Sequence, residues 1–166
     1  PLDSFFNPKS IAIIGASPKE GKIGNVIFSN FVRSFRGKIF PVNPNETEIF
    51  GIKCFKSIKE VKEEIDAAVI AVPAIAVPKV LQECGQKKVK AVTIISAGFA
   101  EVGKEKLEKE LEKAIKQYPQ TKVLGPNCLG ILDTRSGVDM LFLPNERLGR
   151  PRQGSVSFIS QSGALG

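Results

Sequence analysis

The sequence contains no histidine. Within these 166 residues that excludes every His-based triad, every His general base and every His metal ligand. Cysteine is scarce too: Cys54, Cys84 and Cys128 are all there is. An odd count at wide spacing makes neither a disulfide framework nor a zinc pattern, so reduced, partly buried thiols are expected. Long apolar runs are missing. The longest, AAVIAVPAIAV, is far shorter than a bilayer span and contains Pro73, so no transmembrane helix is expected. The opening PLDSFFNPKS lacks the basic, apolar and small-residue order of a signal peptide, and a cytoplasmic location is the expectation. Few aromatics lie near the basic residues, which argues against stacking on nucleic-acid bases.

What is present reads as an ordinary globular chain, 42% hydrophobic and 25% charged, long enough for one well-buried domain. Its 24 Lys and Arg against 17 Asp and Glu leave a net charge of +7. Much of the lysine sits in GKEKLEKELEKAIKQ, where Glu and Lys alternate as i,i+4 pairs on a solvated helix. The surplus still suits a small polyanionic ligand.

The pattern is strand, then helix, repeated. SIAIIGAS is a short apolar run ending in small residues, and IGNVIFSNFVRSF follows with helical spacing at Ile23, Ile27, Phe31 and Phe35. KIFPVNP predicts a second strand, SIKEVKEEI a short helix and DAAVIAVP a third strand. AVPKVLQECG predicts a helix with Pro78 in its first turn. VKAVTIISAG predicts a fourth strand. EKLEKELEKAIKQY predicts an amphipathic helix burying Leu107, Leu111, Ala114, Ile115 and Tyr118. TKVLGPN and GSVSFIS predict a fifth and a sixth strand. Residues 129–153 show no periodicity and read as a connection to the sixth. Strands that are apolar throughout are covered on both faces, and strands separated by helices are parallel. The expected fold is α/β, a Rossmann-like doubly wound parallel sheet with helices on both faces.

In such sheets the ligand lies beyond the carboxyl ends of the strands. The first of these ends, GASPKEGKIG, sits where a dinucleotide turn belongs. Gly15 is in place, but Ser17 stands at the second glycine position, and Gly21 and Gly24 come after an inserted segment. Backbone amides, the Ser17 hydroxyl and Lys19 or Lys22 suit a phosphate there; a plain βα turn would need the same glycines. At the end of the second strand an NAD site wants Asp or Glu, and the sequence offers Val42, Asn43 and Pro44. That counts against an NAD(P)-dependent oxidoreductase. Val72, Pro73 and Ala74 form an apolar strand exit suited to an adenine or an aliphatic arm. Ser96, Ala97 and Gly98 allow close backbone approach. Asn127 and Cys128 lie between glycines; with no histidine to act as base, an inert Cys128 is favoured over a nucleophile.

Taken in order, IAIIGAS, FPVNP, AVPA, ISAGF, GPNCLGI and SVSFISQSGALG resemble the CoA-binding domain of the nucleoside-diphosphate-forming acyl-CoA synthetases. The nearest likeness is to the alpha region of ADP-forming acetyl-CoA synthetase, a relative of the succinyl-CoA synthetase alpha subunit. It covers essentially the whole chain through an ordered set of motifs, none decisive alone. The resemblance implies coenzyme A as cofactor. It implies that Gly15, Ala16, Ser17 and Lys22 hold its phosphates, that Val42, Asn43 and Pro44 flank the nucleotide, and that Val72, Pro73 and Ala74 line it. Ser96, Ala97 and Gly98 would approach the pantetheine end, and Asn127 and Cys128 the thioester end; no residue of the chain is expected to be catalytic and none to bind metal.

The resemblance further implies a reaction, acyl-CoA + ADP + phosphate to acid + CoA + ATP, through an acyl phosphate and a phosphohistidine that lies beyond Gly166. An ATP-grasp domain or beta subunit is the implied partner. Residues 1–150 are then the CoA-binding domain. Residues 151–166 begin a flavodoxin-like second domain, with Ser160, Gln161, Ser162 and Gly163 as phosphate contacts at a helix start. The alternative is a non-catalytic CoA- or acyl-CoA-sensing domain, for example of an acetyltransferase.

Overall fold

The computed structural model describes residues 2–163. After a single helical turn, α1 (Asp3–Phe6), the chain alternates strand and helix. The main elements are β1 (Ser10–Ile14), α2 (Ile23–Ser34), β2 (Lys38–Val42), the small antiparallel pair β3 (Glu48–Ile49) and β4 (Ile52–Lys53), β5 (Ala67–Ile70), α3 (Val77–Gln86), β6 (Ala91–Ile94), α4 (Glu105–Gln117) and β7 (Lys122–Leu124). A second small hairpin follows, β8 (Leu132–Asp133) and β9 (Val138–Asp139).

Five strands form one all-parallel sheet in the order β2-β1-β5-β6-β7. The order reverses between β1 and β5, which is the switch point of a doubly wound sheet. Side chains alternate across it. Ile11, Ile13, Ala67 and Val69 face α2 with Ile27, Phe28 and Phe31, while Ala12, Ile14, Ala68 and Ile70 face α3 and α4 with Val77, Leu81, Leu107 and Leu111. Burying both faces is why these strands read as continuous apolar runs. On the α2 side, Phe5, Val138 and Met140 from α1 and the second hairpin complete the cover.

The helices follow their sequence patterns with local adjustments. Pro78 lies in the first turn of α3, where its missing N–H costs nothing. Leu107, Leu111 and Ala114 of α4 are buried, Ile115 packs against them, and Tyr118 lays its ring against the backbone of Gly85. Ile23 is exposed at the start of α2; Phe28, fully buried, fills the inner face.

Two expected elements are corrected. SIKEVKEEI forms only a 3-10 turn, Ile58–Glu60, and then irregular chain. Ile58, Val61 and Ile65 still reach the core. Local side-chain bonds close this single turn and compete with a longer helix: Ser57 Oγ accepts from the Lys59 N–H at 3.2 Å, and Glu60 Oε2 accepts from the Lys56 N–H at 3.1 Å. GSVSFIS forms no strand among the described residues. Val156, Phe158 and Ile159 are exposed, and without a neighbouring strand their alternation has nothing to pair or pack with. Residues 129–153, expected as plain connection, include the β8–β9 hairpin. Asp133 Oδ1 accepts from the Arg135 N–H at 2.8 Å, and Gly137 takes a left-handed conformation to close the loop.

Among the described residues no helix is long and apolar enough to cross a membrane, and no group of three or more His, Cys, Asp or Glu is placed to hold a metal.

Candidate functional site

A cleft of about 710 Å³ lies across the carboxyl ends of the strands, at the switch point. Its first wall is the turn from β1 into α2. Gly15 has φ +95°, and a Cβ there would stand 2.3 Å from the Ala71 carbonyl oxygen. Gly24, in the first turn of α2, presses its backbone onto that turn; a Cβ would sit 1.8 Å from the Gly15 carbonyl oxygen. This is the close helix–strand approach that the last glycine of a dinucleotide fingerprint serves, reached here through a longer insertion. Two buried or half-buried amides clamp the turn from either side. Asn25 Nδ2 donates to the Ser17 carbonyl at 3.0 Å, and Asn43 Nδ2 donates to the Ala16 carbonyl at 2.8 Å.

Helix α2 starts at this wall. No side chain caps it and no acidic residue lies in its first turn. Its first N–H groups and the positive end of its dipole therefore face the cleft, with Lys22 beside them. An anion is the natural complement.

The middle of the cleft is built by β5 and β6. The Ser96 hydroxyl donates to the Val72 carbonyl at 2.6 Å and accepts from the Val72 N–H at 3.1 Å. It fixes the strand exit and leaves Val72 and Ala97 to line the floor. The far wall is apolar: Ile95, Leu129 and Phe142, with Asn127 and Cys128. Cys128 Sγ donates to the Ile94 carbonyl at 3.4 Å. Burial pushes its thiol up from the usual range, so the group stays protonated near neutrality. Among the described residues no carboxylate lines the cleft to activate it. Cys54 and Cys84 are free thiols in the core, also raised by burial.

No carboxylate lines the cleft among the described residues. Nearby acid is committed elsewhere: both Glu101 oxygens accept backbone N–H groups, from Gly98 and from Phe99, and the Gly98 bond holds the Glu101 carboxyl below the usual range.

Of the residues singled out from sequence, Gly15, Ser17, Lys22, Val72, Ser96, Ala97, Asn127 and Cys128 line the cleft together, and Gly163 reaches it. Ala16, Val42 and Ala74 are buried behind it. Asn43 lies behind the turn, its amide donating to Ala16 and its carbonyl accepting from the Asn45 N–H. Pro44, Pro73 and Gly98 do not line it. Ser160 and Ser162 are exposed and bonded to one another, and Gln161 is exposed between them. The helix expected after Gly163 lies outside the described residues. Sequence reasoning missed Ile23, Leu129 and Phe142. Ile23 fits the helical spacing of α2 with Ile27 and Phe31, and the other two sit in the aperiodic stretch.

The chain is 52% identical over 158 residues to an acetate–CoA ligase (ADP-forming) of Methanocaldococcus jannaschii, covering 95% of this chain and 22% of that protein. It is 46% identical to the alpha subunit of an acetate–CoA ligase (ADP-forming) II of Pyrococcus furiosus, covering 99% of this chain and 35% of that subunit. A crystal structure of a Pyrococcus horikoshii OT3 protein superposes with a TM-score of 0.91 at 45% identity, over 100% of this chain and 37% of that one. An acetyl-coenzyme A synthetase 1 of Ca. Korarchaeum cryptofilum, solved in complex with phosphate and ADP, gives 0.91 at 41% identity, over 99% of this chain and 35% of that one. The chain thus spans about a fifth to a third of the length of these relatives. Residues 9–134 match the CoA binding domain family, and the chain belongs to that family.

Proposed function

We propose that the cleft binds coenzyme A and that the chain is the CoA-binding part of an ADP-forming acyl-CoA synthetase. One observation carries this reading: the cleft has an anion-seeking end and an apolar end, separated along the sheet. The α2 N-terminus and Lys22 stand at the end of β1; Cys128, bonded to the Ile94 carbonyl, stands at the end of β6 with Leu129 next to it in sequence, and Phe142 lines the same cleft. From β1 to β6 is two strand spacings, about 10 Å. A long ligand, anionic at one end and apolar with a thiol at the other, matches that layout. Its phosphates would meet the amides of Gly15, Ser17 and α2 and the charge of Lys22. Its arm would cross Val72 and Ala97.

The absence of carboxylates among the described lining residues favours a polyphosphate over a nicotinamide dinucleotide, whose ribose wants an acid at the end of the second strand. Here Asn43 holds the turn instead. CoA bound here supplies the thiol that accepts the acyl group; the chain's own residues bind and orient it. With no histidine available, the phosphoryl step and the ATP-grasp partner belong to other parts of the enzyme. A role for Ser160, Gln161, Ser162 and Gly163 toward phosphate belongs to the same reading.

Calorimetric titration with CoA, dephospho-CoA and NAD tests it. CoA is expected to bind tightest and NAD weakest. Tighter binding of NAD than of CoA would contradict the reading.

A further inference from the structure

We infer that Arg150 and Asp139 form a strap that positions Phe142 as the wall for the uncharged arm of the ligand. The inference rests on the CoA reading above. Phe142 belongs to no helix or strand; its ring packs against the α2-side core, and side chains hold the main chain around it. The carbonyls on either side of it are both held. Asn30, only 3% exposed, donates from Nδ2 to the Leu141 carbonyl at 2.8 Å. Arg150 donates from Nη2 to the Leu143 carbonyl at 2.9 Å. The Arg150 fork then closes on the hairpin. Its Nε donates to Asp139 Oδ2 at 2.6 Å, and its Nη1 donates to the Leu148 carbonyl. Asp139 Oδ1 completes the frame by accepting from the Leu141 N–H at 3.2 Å.

The two charged side chains are 15% and 8% exposed. Taking such a pair out of water is costly, and a well-packed apolar pair often serves stability as well or better. What the pair supplies, and an apolar pair would not, is directed bonding. The guanidinium reaches three acceptors at fixed angles, and those acceptors bracket Phe142. Arg150 does not itself line the cleft. It is a positioning residue acting through Phe142.

The test compares CoA with adenosine 3′,5′-bisphosphate, which carries the nucleotide phosphates and no arm. Both are titrated into the 166-residue chain and its variants. Phe142→Ala and Arg150→Met are each expected to weaken CoA about tenfold and the bisphosphate less than twofold. The double variant is expected to lose no more than Phe142→Ala alone, because both changes remove one wall. Arg150→Lys keeps the charge on Asp139 and loses the fork, and is expected to fall between wild type and Arg150→Met; it carries the test if Arg150→Met does not fold. Equal weakening of both ligands by Arg150→Lys, or full additivity in the double variant, would overturn the strap. Wild type binding neither ligand would instead overturn the CoA reading itself, and the strap's ligand with it.

Discussion

The two ends of the cleft are built by different means. The β1–α2 end is a matter of main chain. Gly15 and Gly24 bring backbone against backbone at distances no side chain tolerates, and Asn25 and Asn43 pin the carbonyls that result. The Phe142 end is irregular chain tied by three polar side chains, Asn30, Asp139 and Arg150. A wall of backbone leaves its mark in the spacing of glycines. A wall of strapped chain leaves almost none, because its determinants come from α2, a hairpin and a residue eight positions beyond the one they place.

The contrast predicts different failures. Gly24→Ala strikes the backbone end. With no room for the added methyl beside Gly15, the helix must shift, and the expected loss is about 3 kcal/mol, read as a lower denaturation midpoint. CoA and adenosine 3′,5′-bisphosphate should weaken together, since both need that end. If only CoA weakened, the assignment of the two ends would be reversed.

Asn30→Ala strikes the strapped end. It leaves the buried Leu141 carbonyl without its partner, at a cost of about 2 kcal/mol. In contrast to Gly24→Ala, it should weaken CoA more than the bisphosphate. A parallel drop in both affinities would show that the two ends are not independent.

Asp66→Asn is the control, at the amino ends of the strands, opposite the cleft. Burial raises the Asp66 carboxyl, but bonds from the Lys90 ammonium, the Lys9 N–H and the Ser10 region outweigh it, and the group lies below the usual range. A lowered folded value means stability that is present above the ordinary carboxylate range and lost as pH falls through the folded value. Asp66→Asn is therefore expected to cost about 1 kcal/mol at pH 7, with the gap to wild type closing below about pH 4. CoA affinity should stay within about twofold. A gap that widened in acid would show that the carboxylate is not stabilising.

The same division explains what could be read from sequence. The sheet was legible because strands buried on both faces are continuously apolar, and α4 because its Leu and Ala positions repeat at helical spacing. The β1–α2 turn was legible through Gly15, although Ser17 and the insertion hid the part played by Gly24. The crossover at 58–65 is ambiguous in sequence because Ile58, Val61 and Ile65 fit helical spacing as well as they fit a 3-10 turn and irregular chain. GSVSFIS has the composition of a strand, but composition supplies no partner. Phe142 and Arg150 were invisible: a single aromatic and a single Arg in an aperiodic stretch carry no period, and their meaning comes from contacts over long range, such as Asn30 to Leu141.

Amide chemical shifts, followed as CoA is added to the 166-residue chain, test the central claim most directly. The account predicts shifts at Ser17, at Lys22 to Gly24, at Val72, and at Cys128 and Phe142, from both ends of one cleft, with adenosine 3′,5′-bisphosphate moving only the first group. Shifts centred instead on the basic hollow at the amino ends of β1 and β2, around Lys9, Arg36, Lys38 and Arg135, would contradict it.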